Sequence, residues 1–189
     1  MYPGTYAARE PGKIAAVMAG TGDRVSYGEL ERRSVQLARV LHQAGLRPGD
    51  VVALVTENNL RALEVYWAAL RSGLYITAVN YRLKPDEVAY IVNDSGAAAL
   101  IVSAEQAATA APVADLTAAV KLRLAFGGAV PGYDSYEDIV AAVIRAELMP
   151  VAVRCPAAPL VTDGVDEACR SHESGCPQSS GYKHRIPAE

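Results

Sequence analysis

Cysteine is absent from the first 154 residues of this chain of 189, and all three cysteines, Cys155, Cys169 and Cys176, lie near the C-terminal end. This distribution excludes a disulfide framework, because such bridges tie core elements together. The spacing of Cys169, His172 and Cys176 is also found in zinc sites. A structural zinc site needs four ligands, however, and Cys155 or His184 would have to complete the set. We therefore expect no metal site.

Clusters of one charge and long apolar runs are also missing. The 18 basic residues nearly balance the 21 acidic residues, for a formal net charge of −3, and the basic residues are scattered along the chain. This pattern excludes a nucleic-acid partner, because phosphate backbones bind clustered cations. No apolar run approaches the roughly 20 residues of a membrane span. No basic region followed by an apolar run marks a secretion signal, so we expect a cytoplasmic protein.

The residues that are present indicate a folded α/β domain. Hydrophobic residues make up 51% of the chain and charged residues 21%, the balance of a soluble globular protein. Segments of helical and of strand character alternate from Tyr27 to Val102, which predicts parallel-sheet layers with flanking helices. Strands are predicted at Val51–Val55, Tyr75–Val79 and Ala97–Val102. Their continuous apolar character is typical of strands that are buried on both faces.

Two amphipathic helices flank the first of these strands. Ser26 and Glu29 have the spacing of a capping box, and apolar residues recur at helical spacing from Leu30 to Ala44. The second helix follows the capping residue Asn59. Its spacing predicts one buried stripe, with Arg61 and Glu64 outside it; the stripe consists of Leu60, Leu63, Trp67 and Leu70.

The stretch from Leu70 to Ser103 organises the rest of the chain. Gly73 ends the second helix, and Pro85 begins a short helix at a position where its missing N–H is tolerated. The helix separates the strands Tyr75–Val79 and Ala97–Val102. A strand, helix and strand connected in this way imply a parallel pair with a right-handed crossover.

The turn Gly20-Thr21-Gly22-Asp23 predicts a hairpin between two short strands. Its glycines invite comparison with a phosphate-binding loop. That interpretation fails, because no Lys-Ser/Thr pair follows and no helix begins directly after the glycines.

Three segments carry a resemblance to a known family. They are VSYGEL (25–30), RPGDVVALVTEN (47–58) and LRSGLYITAVNYRLKPDEVAYIVNDSGA (70–97). From about Pro11 to about Ala142 the sequence resembles the adenylate-forming superfamily, specifically its fatty-acid–CoA ligase branch. The form Asn80-Tyr81-Arg82-Leu83 is typical of ligases for fatty or aromatic acids in that family.

The resemblance implies a fold and an activity for the intact family. The fold is the N-terminal subdomain of the adenylate-forming enzymes, here incomplete. The activity is ATP-dependent conversion of a carboxylic acid to its CoA thioester through an acyl-adenylate, with ATP, Mg and CoA as cofactors. A fatty acid is expected as the substrate only in the intact family.

The family's phosphate-binding loop is rich in Ser, Thr and Gly, ends in Pro-Lys-Gly, and would follow the helix near Ile139. No such segment is present, and the fragments at 175–178 and 179–183 have the wrong order. The adenine-binding segment, the catalytic acidic residue and the functional lysine of the lid lie later in the family. We therefore assign no catalytic, cofactor-binding or metal-binding residue and no bound cofactor to this chain, and whether it is an enzyme stays open.

The composition changes at Met149-Pro150, where prolines become frequent and periodicity is lost. We expect residues 1–148 to form a partial N-terminal α/β domain and residues 149–189 to form a poorly ordered tail unrelated to the family. A frameshift or premature stop would produce this break. The sequence therefore predicts a truncated, inactive fatty-acid–CoA ligase. The alternative is a non-catalytic interaction or ligand-binding module, and we expect self-association through an uncovered sheet face.

Overall fold

Six α-helices, one short 3₁₀ helix (Ala104–Gln106) and seven strands build the part of the chain that the computed structural model describes, residues 3–143. The predicted tail and the cysteine–histidine cluster lie outside these residues. The helices are α1 (Pro3–Arg9), α2 (Tyr27–Gln43), α3 (Leu60–Arg71), α4 (Pro85–Asp94), α5 (Ala107–Leu116) and α6 (Tyr136–Ala142). The strands are β1 (Ile14–Val17), β2 (Arg24–Ser26), β3 (Val51–Val55), β4 (Tyr75–Val79), β5 (Ala97–Ser103), β6 (Leu122–Phe126) and β7 (Asp134–Ser135).

The predicted α/β architecture is confirmed. Strands β3 to β7 form one parallel sheet in the order β4-β3-β5-β6-β7, while β1 and β2 form the predicted antiparallel hairpin. The expected pairing of β4 with β5 is wrong, because β3 lies between them. After β3 the chain places β4 on one side and then crosses to place β5 on the other. The direction of winding therefore changes between β3 and β5.

Helices cover both faces of the sheet. Residues of α2, α3 and α6 form one apolar cluster with alternate side chains of β3, β5 and β6, and residues of α4 and α5 form a second cluster with the intervening side chains. Every residue of β5 is buried. The expectation of an uncovered face is therefore wrong for the described residues, because α4 and α5 supply the second layer. Self-association stays a prediction, but an uncovered sheet face no longer supports it.

Strand β4 is at the edge of the sheet and is less buried than its apolar sequence predicted. Tyr75 is 69% exposed, and only Val79 of this strand is fully buried. An apolar run indicates that a strand can be buried. It does not specify the strand order, which places β4 at the edge with a neighbouring strand on one side only. No helix of residues 3–143 is long and apolar enough to cross a membrane.

The capping box predicted for α2 is present, whereas the buried stripe predicted for α3 is not. The Ser26 hydroxyl accepts from Glu29 N at 3.2 Å, and Ser26 N donates to Glu29 Oε2 at 3.1 Å, as the capping box predicts. In α3 the predicted stripe is wrong, since Leu70 is 58% exposed and Glu64 is only 1% exposed. The buried apolar residues of α3 are Val65, Ala68 and Ala69, whose small side chains allow close packing on the sheet and α2.

Candidate functional site

An open crevice of about 500 Å³ lies at the carboxyl ends of β3 and β5. Its walls come from the β1–β2 hairpin, the first turns of α2, the loop between β3 and α3, and the residue Glu105 after β5. Ligands of open α/β sheets bind outside the carboxyl ends of the strands, where the winding direction changes. The crevice occupies that position, and it is the candidate functional site.

Glu57 connects the ends of the two strands in this crevice. Its Oε1 accepts from Ser103 Oγ at 3.0 Å and from Asn59 Nδ2 at 3.3 Å, and its Oε2 accepts from Gln106 Nε2 at 3.2 Å. Partial burial acts to raise the pKa of Glu57. Hydrogen bonds from its own backbone N–H and from Gln106, Ser103 and Asn59 outweigh burial, so the pKa lies below its usual value. Glu57 is therefore a fixed carboxylate at neutral pH.

The first turn of α3 forms a second wall of the crevice. Asn59 caps the helix by accepting from Arg61 N at 2.9 Å. Glu64, one turn later, is buried, and its Oε1 accepts from Arg61 Nη1 at 2.8 Å and from Arg33 Nη1 at 3.2 Å. Burial raises the pKa of Glu64 even though the charge of Arg61 and the hydrogen bonds from Tyr136 and Arg61 favour the charged form. The Arg33 and Arg61 side chains, 31% and 27% exposed, lie between Glu64 and solvent.

Tyr136, the first residue of α6, completes the environment of Glu64. Its hydroxyl donates to Glu64 Oε2 at 2.9 Å, and its ring packs edge-on against Phe126 at 6.0 Å between centroids. Burial raises the pKa of Tyr136 well above its usual value, and the nearby Glu64 carboxylate raises it further. Arg61 Nε lies 3.6 Å from the carboxylate of Glu137, which follows Tyr136 in α6. One carboxylate thus joins α2, α3 and α6.

The crevice has the features of a polar binding site. No group of three histidine, cysteine, aspartate or glutamate side chains able to hold a metal ion occurs in the described residues. The family-typical segment Asn80–Leu83 follows β4 at the same edge of the sheet but does not line the crevice. There, Asn80 Oδ1 accepts from Arg82 N at 3.0 Å.

Sequence reasoning named neither Glu57 nor Glu64 as a site residue. Polar residues directly after an apolar parallel strand are a usable signal for Glu57, because that position meets the carboxyl edge of the sheet. Glu64 has no comparable signal. Its partners Arg33 and Tyr136 are 31 and 72 positions away in the sequence.

Comparisons with known proteins find a matching family and similar relatives. A family model described as AMP-binding enzyme matches residues 5–154. A feruloyl-CoA synthase from Amycolatopsis is 40% identical over 93 residues, which are 49% of this chain and 19% of that relative. A 3-methylmercaptopropionyl-CoA ligase from Ruegeria lacuscaerulensis is 28% identical over 145 residues, 71% of this chain and 27% of that relative. The chain therefore spans less than a third of these relatives.

Solved structures show the same architecture. A structure described as a long-chain-fatty-acid CoA ligase from Rhodopseudomonas palustris superposes with a TM-score of 0.66 at 26% identity, over 72% of this chain and 34% of that one. An anthranilate CoA ligase in complex with anthranoyl-AMP superposes with a TM-score of 0.63 at 19% identity, over 75% of this chain and 27% of that one. The second likeness is one of fold alone.

Proposed function

Because the chain belongs to the AMP-binding enzyme family, we propose that it forms the N-terminal α/β portion of a ligase that converts a carboxylic acid to its CoA thioester. In the intact family the acid reacts with ATP to give an acyl-adenylate and pyrophosphate, and CoA then displaces AMP. The observation that carries the proposal is the family match over residues 5–154, together with relatives named as CoA ligases. The sequence-based assignment to the family is confirmed.

A polypeptide of these 189 residues is proposed to be a truncated form without ligase activity. Acid activation needs donors that hold the triphosphate and offset charge as pyrophosphate leaves. The sequence has no Ser/Thr/Gly-rich loop ending in Pro-Lys-Gly, which holds the phosphates in the family. Loss of a single donor of this kind costs about 10²–10³-fold in rate, so loss of the whole loop removes catalysis.

The charge of the crevice does not fit a nucleoside triphosphate. Five acidic side chains line it, namely Asp23, Glu29, Glu57, Glu64 and Glu105, against three arginines, Arg24, Arg33 and Arg61. A net excess of two carboxylates repels the phosphates of ATP, which is itself strongly negative.

The alternative is a non-catalytic interaction or ligand-binding module. The pre-formed crevice favours it, since three hydrogen bonds fix the Glu57 carboxylate without a bound ligand. Such a module would use the crevice for recognition alone.

The unfolding midpoint of the 189-residue polypeptide distinguishes the two functions. A ligand that binds only the native state raises the midpoint. For a truncated ligase without a phosphate loop we expect no change with ATP, AMP or a fatty acid, measured by differential scanning fluorimetry. An intact CoA ligase of the family serves as the control that must respond. A saturable rise with one of the three ligands would favour the binding module and contradict the truncated-ligase proposal.

A further inference from the structure

A second cleft, of about 220 Å³, lies between α2 and α6 and shares Arg33, Arg61 and Glu64 with the crevice. One of its lining residues is Gln36, which is only 7% exposed. Among residues 3–143 the Gln36 side chain has no hydrogen-bond partner. An amide offers two N–H donors and one carbonyl acceptor, and the Gln36 amide is not among the side-chain groups of the described residues that are wholly buried without a partner. The cleft therefore presents an unused polar group to any molecule that enters it.

The charges around Gln36 are predominantly positive. Arg32, Arg33 and Arg61 line the cleft against Glu64 and Glu137, which gives an excess of one cation. Both carboxylates already have partners, because Glu64 accepts from two arginines and Tyr136, and Glu137 lies 3.6 Å from Arg61 Nε. Arg33 and Arg61 are the partners of these carboxylates, so Arg32 is the cation of the cleft that no ion pair among the described residues uses.

Two of the three arginines retain unused donors. Arg32 forms no ion pair within the described part of the chain, although Glu29 one turn earlier attracts it. Arg33 uses only Nη1 in its contact with Glu64, and a guanidinium carries five N–H groups in a planar fork. Arginine forks match the paired oxygens of carboxylate and phosphate groups.

We propose that the cleft between α2 and α6 binds a small oxyanion, a carboxylate or a phosphate group, through the Gln36 amide and the guanidinium groups of Arg32 and Arg33. The apolar side chains of Val140 and Ala141 form the opposite wall. The proposal does not depend on ligase activity, although Arg33 also lines the crevice.

The test follows the side-chain amide signal of Gln36 by nuclear magnetic resonance of the 189-residue polypeptide. Sodium phosphate and sodium acetate are titrated separately, with sodium chloride balancing the ionic strength. We expect a saturable shift of this signal with one or both anions. Saturation with phosphate alone, or with acetate alone, identifies the oxyanion class that the cleft accepts.

Matched variants give the proposal its control. Arg32→Gln removes an exposed cation of the cleft and should weaken the affinity about tenfold, the loss of one charge-assisted hydrogen bond. Arg9→Gln makes the same charge change on α1, away from the cleft, and should leave the affinity unchanged. Gln36→Met keeps the size of the side chain but removes its amide, so the titration is followed through the Arg33 Nε signal. This variant should show no saturable shift with either anion.

Three results would overturn the proposal. They are no saturable shift with either anion, a shift that follows total salt rather than the oxyanion, and equal affinities for Arg32→Gln and Arg9→Gln. The backbone amide spectrum of each variant verifies that it is folded. Arg32 is exposed, so its replacement should not disturb the fold.

Discussion

Replacing Glu64 by alanine should lower the free energy of unfolding by about 1–3 kcal/mol, the cost of leaving a buried hydrogen-bonding group without its partner. The substitution removes the acceptor of Arg33, Arg61 and the Tyr136 hydroxyl together. Tyr136 is only 2% exposed, so its hydroxyl would remain buried without a partner. Urea unfolding followed by circular dichroism measures the difference.

Glu64→Gln is the matched control, because it keeps the shape and removes only the charge. Burial raises the pKa of Glu64 in the folded chain above its unfolded value. A raised carboxyl pKa contributes stability that is fully present below the unfolded pKa and is lost as pH rises through the folded pKa. The wild-type chain should therefore gain stability relative to Glu64→Gln as pH falls from 7 to below the ordinary glutamate value of about 4.3. A relative loss would mean that the arginines outweigh burial.

Leu100→Ala and Ile101→Ala should each cost about 2–5 kcal/mol, the range for removing a fully buried aliphatic side chain. Neighbouring residues of a strand point to opposite faces of the sheet. Leu100 belongs to the cluster with α4 and α5, and Ile101 to the cluster with α2, α3 and α6. Both are 0% exposed. Large losses at both positions would show that both faces are covered in solution.

Tyr90→Ala is the surface control for this pair, because Tyr90 is 69% exposed and such changes usually stay within about 0.5 kcal/mol. Leu100→Ala is the more informative of the two core variants, since the sequence pattern alone suggested that its face lacks a full cover. A loss at Leu100 no larger than that at Tyr90 would contradict the closed sheet. Denaturant unfolding of all three variants at one pH provides the comparison.

Local signals predicted the element boundaries well because each depends on neighbouring residues. Strands β3 and β4 have the predicted limits, and β5 extends one residue further, to Ser103. Pro85 begins α4 as expected. The capping box of Ser26 and Glu29 begins α2. In each case the deciding hydrogen bond or dihedral preference lies within a few residues.

Features that depend on distant contacts were not predictable in the same way. The edge position of β4 follows from the strand order, which an apolar pattern does not specify. The burial of Glu64 follows from Arg33 on α2 and Tyr136 on α6, which helical spacing within α3 cannot reveal. The position of the crevice becomes predictable only when the strand order is known, because that order shows that the direction of winding changes between β3 and β5. The family, in contrast, was recognisable from the sequence alone, because its motifs are continuous segments of the chain.

The central proposal is that this polypeptide forms the N-terminal portion of an acid–CoA ligase and does not activate an acid by itself. The most direct test is the exchange of labelled pyrophosphate into ATP in the presence of a fatty acid and Mg²⁺, because this exchange reports reversible acyl-adenylate formation. An intact CoA ligase of the family provides the positive control. We predict that the 189-residue polypeptide gives no exchange above a protein-free reaction. Exchange that depends on the fatty acid would contradict the account.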